Sequence, residues 1–392
     1  MQIWSHLEKP CIRRLQCLLL VIHCHIHLGH FSRAYMLAGL AARAATALRL
    51  NYERPELSFV AQETRRRVLW TLSSIDGFFS VGLPEYETIP HTIIYQRLPS
   101  TEEAFWGGNA EGNLADHQPP LEALSSGGGS LLAACIRLSK ISKDIMRLTR
   151  QLALSEQPLA QLGGFIQEIQ NDLWRLRADI QLSFNYQVES STRIFAMTGS
   201  RWFARFLQIT VTWHQAHCDL YRLFLPEYQE AAPKIIMDSI EPSLKDNALQ
   251  KCEEHVHHIN EIIQGLLHLT STPILPSYLA ICCYQATRLS LFLAASPILR
   301  VQLDAATAVE NANLALAVLE RFFSNSPSVG KIVLDIQHLL QLSHTQPGSI
   351  YRELCCLSPP FDQGRHRHSH LAVHSLVRQA NFVDDGYEDY DD

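Results

Sequence analysis

Histidines pose the first chemical question. In HCHIHLGH, His23, His27 and His30 stand at i, i+4 and i+7. On a helix that spacing puts three imidazoles on one stripe, one way of holding a zinc ion. The zinc hydrolase motif needs a glutamate directly after its first histidine, and that position here is Cys24. The run therefore reads better as a polar shoulder beside the apolar stripe Leu15, Leu19, Ile22 and Ile26. EEHVHH (Glu253 to His258) is a weaker candidate, because Val256 belongs to a buried stripe, and His366, His368, His370 and His374 lie in a polar end segment without preorganisation. The carboxylates of the closing DDGYEDYDD would have to converge from a rigid helix to bind metal, and they end a glycine-containing tail instead. The glycines at 127–129 follow no strand and precede no P-loop lysine, and no G-x-S-x-G elbow occurs. No metal, cofactor or catalytic constellation is nominated, and the expectation is a non-enzyme.

Three consecutive arginines, Arg65, Arg66 and Arg67, raise nucleic-acid binding. Formal net charge is -6, and the last nine residues carry six acidic and no basic side chains, which leaves a neutral body. A chain that grips phosphates with its own surface shows a basic excess or stripe, so autonomous nucleic-acid binding is excluded. On a helix at 100° per residue the three arginines fan apart. Glu63 and Arg67, at i and i+4, are predicted to pair on the surface for about 0.2–0.5 kcal/mol, with another arginine pointing to a neighbouring element.

The elements that must position these residues are helices. Val68, Leu72, Ile75 and Phe79 step by four, three and four, as do Phe165, Ile169, Leu173, Leu176 and Ile180, and Cys252, Val256, Ile259, Ile263 and Leu266. Such steps line one helix face, and no alternating strand pattern competes. The fold is predicted to be all-α, with about ten helices at 10–29, 32–50, 60–81, 130–155, 159–186, 197–225, 233–270 (broken at Pro242), 274–296, 299–324 and 327–343. Ser32 is the expected cap of the second. The organisation expected is an N-terminal segment of residues 1–105, a glycine-rich flexible loop at 106–129, a C-terminal helical segment of the same domain at 130–343, and a disordered acidic tail at 344–392. The 47% hydrophobic content supports a substantial core. Ten cysteines without a C-x-x-C pair suit reduced packing in a cytosolic or nuclear setting. The run Cys17 to Ile22 is too short for a secretory core, and Gln285 and Arg288 make 274–296 a core helix, not a membrane span.

In order, CLLLVIHCHIHLG, AGLAARAATALRL, ETRRRVLWTLSSIDG, GLPEYETIP and QRLP resemble the middle regulatory region of fungal zinc-cluster transcription factors. HCDLYRLFLPEY, CEEHVHHINEIIQGLL and NANLALAVLERFF resemble its later helices more loosely. The resemblance implies structural signature positions at Arg43, Arg66, Arg67, Trp70, Asp76, Gly82 and Pro84. It departs from the family at Leu69, Gly77, Leu83 and ALRLNY, where paired tryptophan, arginine, arginine and glycine-leucine-histidine are usual. It implies a nuclear regulatory domain for RNA polymerase II transcription, working through protein partners or a homodimer and a small-molecule effector, with no membrane. DNA is expected to be contacted only through a six-cysteine zinc cluster outside this sequence, the one place zinc is expected, since Cys11, Cys17 and Cys24 do not form it. The acidic end, interleaved with Phe382, Tyr387 and Tyr390, resembles short activation segments. Alternatives are a stand-alone helical scaffold that dimerises with full-length factors and titrates them, and an all-α enzyme of unknown chemistry. Within the signature, a buried Asp76 would need a cation, and Arg43 on the alanine-rich helix is the predicted partner.

Overall fold

The structure, a computed structural model, describes residues 9–355 apart from 81, 109–129, 156, 158, 160, 272, 274 and 346–347. Among these residues there are thirteen α-helices and no strand: α1 (Ile12–His27), α2 (Phe31–Ala47), α3 (Phe59–Ser80), α4 (Glu102–Gly107), α5 (Leu131–Leu154), α6 (Leu162–Phe184), α7 (Phe203–Tyr221), α8 (Lys234–Ser239), α9 (Pro242–Leu267), α10 (Tyr278–Ala295), α11 (Ala305–Phe323), α12 (Pro327–Thr345) and α13 (Ser349–Leu354). The ten long ones answer to the ten predicted from apolar spacing. Pro242 opens α9 at a position that needs no N–H, which separates α9 from α8. Ser32 does not cap α2: the helix begins at Phe31 after His30, with no side-chain cap. Thr101, Ser130 and Asp304 cap α4, α5 and α11, each accepting from a backbone N–H three residues on.

Two apolar cores form. The first packs Leu15, Leu19, Ile22 and Ile26 of α1 and the alanines of α2 against Trp70, Leu72, Ile75 and Phe79 of α3. The small alanine side chains let α1 and α3 approach α2 closely. The second is built from α5 to α13. Ile136 of α5 inserts into the first core. Gly29 lies against the backbone of Pro327 and Ser328 at the start of α12. α10 is long and apolar enough to cross a membrane by length and composition. Here it sits within the second core, where Arg222 donates to Gln285 and Arg288 donates to Glu230.

Two boundaries differ from expectation. The predicted loop 106–129 lies outside the described residues except for its first three: Trp106 and Gly107 close α4, and Trp106 stacks on Trp202. Order extends past residue 343, because Ile350 and Leu354 of α13 bury themselves in the second core and Gln229 N–H donates to Leu354 O. The rest of the acidic tail, with its histidines and aromatics, lies outside the described residues.

Gly82, with φ of +74°, turns the chain after α3. A Cβ there would stand 2.7 Å from Met146 Cβ and 3.0 Å from the Arg147 nitrogen. Gly82→Ala is therefore expected to lose about 2 kcal/mol or more from backbone strain plus overlap. Urea denaturation would measure this, and an unchanged midpoint would contradict the close approach.

Candidate functional site

The three arginines lie near the start of α3, and each goes a different way. Arg65 Nη2 donates to the carbonyls of Leu48 (3.2 Å) and Arg49 (2.9 Å), just past the end of α2, where Arg49 O also accepts from Tyr52 N–H. Arg66 holds both oxygens of Glu53 at 2.8 Å and reaches Glu63 at 3.3 Å. Arg67 donates to Glu63 at 2.8 Å and to Ser100 O at 2.9 Å, and its guanidinium lies over the Phe105 ring. Glu63 also accepts from Ser100 N–H, and Glu53 from Arg97 N–H. Trp70 Nε1 donates to Arg97 O. The cluster thus ties α3 to the 48–53 turn and to the 97–105 segment. The Glu63–Arg67 pair expected on the surface is inside instead, with the Glu63 side chain fully buried.

The predicted Arg43–Asp76 contact does not form. Arg43 is exposed, and the buried Asp76 accepts from the N–H groups of Thr88 (3.0 Å) and Ile89 (3.1 Å) and from the Thr88 hydroxyl. A carboxylate can be satisfied by backbone donors as well as by a cation, and the turn supplies them. Pro84, after Gly82, opens the short 3-10 turn 84–86 that leads the chain to Thr88.

Between the two cores lies a cavity of about 660 Å³, within the range of small-molecule sites. One wall is α1 and α3 of the first core, through Ile26, Ile75 and Phe78; the other is α5, α7 and α10 of the second. The exposed His23 and His27 mark where it meets the surface. α7 and the turn after it present a polar stripe to the cavity: Arg205, Gln208, Thr212, Gln215, Asp219 and Arg222, at steps of three, four, three, four and three. The intervening Phe206, Leu207 and Val211 pack elsewhere in the core, while Ile209 adds an apolar contact to the cavity lining. Gln215 donates to Asp219 at 2.8 Å, and Arg222 pairs with Asp219 at 3.0 Å. Burial pushes the Asp219 carboxyl up, against the pull of Arg222. Burial also lowers the Lys143 ammonium, which stands 3.8 Å from Glu87. Thr212 Oγ1, Gln215 Oε1 and Arg222 Nε are buried without a hydrogen-bond partner in the protein. The sequence carried this signal as polar residues at three-four steps along the helix, and sequence reasoning read only a helix there.

The histidine patterns rearrange. α1 ends at His27 and Gly29 turns the chain, so His30 leaves the predicted stripe and meets His25 at 3.3 Å, while His27 faces Ser326. The weaker candidate, EEHVHH, joins a cluster with His214 and His217 where α7 packs on α9. His214 Nδ1 lies 2.9 Å from His255 Nδ1, and the His217 ring stacks on His255 with centroids 4.1 Å apart. His258 packs on His214 and bonds Glu261 at 3.0 Å. Burial holds His214 and His255 far below the usual imidazole range and His217 down to about 3, with neighbouring histidines and Lys251 adding to it. Neutral rings can stack in this way. The clue was an i, i+3 histidine pair on each of two helices. Among the described residues no three histidine, cysteine, aspartate or glutamate side chains converge to hold a metal ion.

Residues 4–186 match the model of the fungal specific transcription factor domain. The Zn(2)-C6 fungal-type transcription factor FTF1c of Fusarium oxysporum f. sp. lycopersici is 26% identical over 216 residues, which is 47% of this chain and 23% of that protein. The chain thus spans under a quarter of the length of this curated relative. No solved structure matches. The matched region runs from α1 through α6 and contains the arginine cluster, the Asp76 turn and one wall of the cavity.

Proposed function

We propose that the chain is the helical regulatory segment of a fungal transcription factor, acting in the nucleus on RNA polymerase II transcription, with DNA contacted by a zinc cluster outside this sequence. The observation that carries this reading is the position of the cavity. Its walls come from α1 and α3, inside the matched region, and from α7 and α10, outside it. A molecule bound there touches both cores, and its differential affinity for two packings of one core on the other would shift their populations, typically by about 1–3 kcal/mol. Partner proteins, a second copy included, would read that change. The reading is non-catalytic: Asp219, Arg222 and Gln285, the polar groups at one end of the cavity, are tied to one another.

The experiment fuses the chain to an unrelated DNA-binding domain and measures a reporter. Transcription should differ from that given by the DNA-binding domain alone, and Ser139→Trp, which puts a bulky ring into the cavity, should change the response. The purified chain should not retard DNA at low salt, since its body is neutral. Tight, salt-sensitive DNA binding, or a reporter indifferent to the chain, would remove the proposal.

A further inference from the structure

α1 is apolar on two opposite faces. Leu15, Leu19, Ile22 and Ile26 are buried in the first core. On the far side Arg13, Cys17, Leu20, Cys24 and Leu28 step by four, three, four and four, and all five are exposed, with Val21 beside them. Leu20 keeps 72% of its surface, and Val21 and Leu28 keep 43% each. α2 continues the pattern. Opposite its buried alanines, Arg33, Met36, the half-buried Leu40 and Arg43 step by three, four and three, and Met36 is 65% exposed. The chain reverses at Gly29, so the two rows run antiparallel, with Met36 and Leu40 level with the middle of α1. Single exposed apolar side chains are ordinary on a protein surface, whereas a contiguous patch marks a contact surface.

Charge selects the occupant. Residues 9–52 carry Lys9, Arg13, Arg14, Arg33, Arg43 and Arg49 and no aspartate or glutamate. Lys9, Arg13, Arg33 and Arg43 are exposed and make no ion pair among the described residues. They stand at the two ends of the apolar patch, Lys9, Arg13 and Arg43 at one and Arg33 at the other. A second copy of the hairpin would bring cations against cations with no acid to match them. A phosphate backbone would meet the leucines and Met36 with no apolar group. The complement lies in the same chain: FVDDGYEDYDD, residues 382–392, holds six acidic and no basic side chains, with Phe382, Val383, Tyr387 and Tyr390 set among them. Val383, Tyr387 and Tyr390 stand at i, i+4 and i+7, the spacing of anchors on a helix laid against an apolar surface.

The distance can be spanned. Gly29 lies against Ser328 at the start of α12, whose 19 residues make it about 28 Å long. α13 packs on α10 and α12, and residues 356–381 lead on from it toward the acidic segment. A coil of that length spans about 30 Å, and an extended chain up to about 90 Å.

We propose that the outer face of the α1–α2 hairpin docks the acidic, aromatic-bearing segment 382–392 of the same chain. The tyrosines seat on Leu20, Val21 and Met36, and the carboxylates meet Lys9, Arg13, Arg33 and Arg43. Exposed ion pairs are individually weak. A tether of this length supplies an effective concentration of about millimolar, so a contact too weak to hold separate molecules together is occupied within one. The docked segment is withheld from other proteins, and salt or a competing acidic peptide releases it. This contact stands whether or not the chain acts on transcription.

Photo-crosslinking of the full chain tests it, with p-benzoylphenylalanine replacing Tyr387 and the products mapped by mass spectrometry. At low salt the crosslinks are expected on residues 17–40, within single chains, at a yield independent of protein concentration. Raising the salt to about 0.5 M should lower that yield about fivefold or more, because exposed charges are then screened. Leu20→Asp should do the same, as should Arg13→Glu combined with Arg33→Glu. All three side chains are exposed, so circular dichroism should show the helices unchanged. Crosslinks scattered over the chain, or a yield unmoved by salt and by the arginine pair, would overturn the proposal. So would crosslinked dimers whose yield rises with protein concentration, which would make a second copy the occupant.

Discussion

Lowering the pH from 7 toward 5 is expected to unfold this protein, with the buried histidine cluster as the main cause. In the unfolded chain the imidazoles protonate as the pH falls through about 6.5. In the folded chain His214 and His255 stay neutral far below that, and His217 does so down to about 3, because burial excludes the charged form. The folded pKa values are depressed, so the unfolded state binds more protons throughout the window below 6.5. Stability is therefore full above that pH and falls as the pH drops, at a limiting slope of roughly 1–1.5 kcal/mol per pH unit for each histidine and roughly 4 kcal/mol per pH unit for the three. A typical domain has only about 5–15 kcal/mol to lose. His91, edge-on to Trp70 and held to about 3 by burial and the nearby Lys143, acts in the same direction. Lys251 on α9 adds repulsion to His217 and His255, whereas Glu261 bonds His258 from the same helix. Asp219 and Asp335 work the other way, their carboxyls being raised by burial, but they are two groups against several. Urea melts at pH 7.5, 6.5 and 5.5 would show the midpoint falling steeply. The double variant His214→Leu, His255→Leu should move the acid limb to lower pH, because replacing both partners by apolar groups leaves neither unmatched. Equal midpoints at 7.5 and 5.5 would show that the rings are not sequestered as the structure places them.

Glu63→Ala should be among the most damaging single substitutions, at about 3–5 kcal/mol. The carboxylate is fully buried and accepts from Arg66, Arg67 and the Ser100 N–H. Removing it strands a backbone donor and leaves two largely buried guanidinium groups short of a partner. Glu63→Gln keeps an acceptor and should cost less, about 2 kcal/mol. Arg66→Lys should also be harmful, since an ammonium cannot span both oxygens of Glu53 as the guanidinium does. Arg43→Ala is the control: on the exposed face of α2 it should stay within about 0.5 kcal/mol. Denaturation of the four variants side by side decides the matter. A Glu63→Ala protein as stable as the Arg43 control would mean that the cluster is not what holds α3 to the 97–105 segment.

The arginine cluster also shows how far sequence reasoning reaches. Fanning of Arg65, Arg66 and Arg67 around α3 follows from helical geometry alone, as does the pairing of Glu63 with Arg67. Which carbonyls and carboxylates they meet does not follow, because Leu48, Glu53 and Ser100 reach them through turns whose paths depend on packing. The Arg43 expectation fails for the same reason. Its place on an alanine-rich helix suggests burial, but α2 buries Ala38, Ala41, Ala42 and Ala45 and turns Arg43 outward.

The candidate site is less legible. The α7 stripe is visible as spacing, but six polar residues at three-four steps ordinarily describe a solvent face. That they face inward depends on α1 and α3 closing over α7 from well over a hundred residues away. The histidine cluster likewise needs two helices brought side by side, and each half alone looks like a polar shoulder.

By itself the sequence determined the all-α class, the ten long helices, the break at Pro242 and the resemblance of its first third to a regulatory domain. These rest on local spacing and backbone preference, which act within a few residues. Only the tertiary structure decided which faces meet: the burial of Glu63, the backbone donors that satisfy Asp76, the imidazole stack between α7 and α9, and the cavity between the cores. Those outcomes are set by the packing of distant helices, where a face with no local preference between water and a neighbour takes whichever the rest of the fold presents.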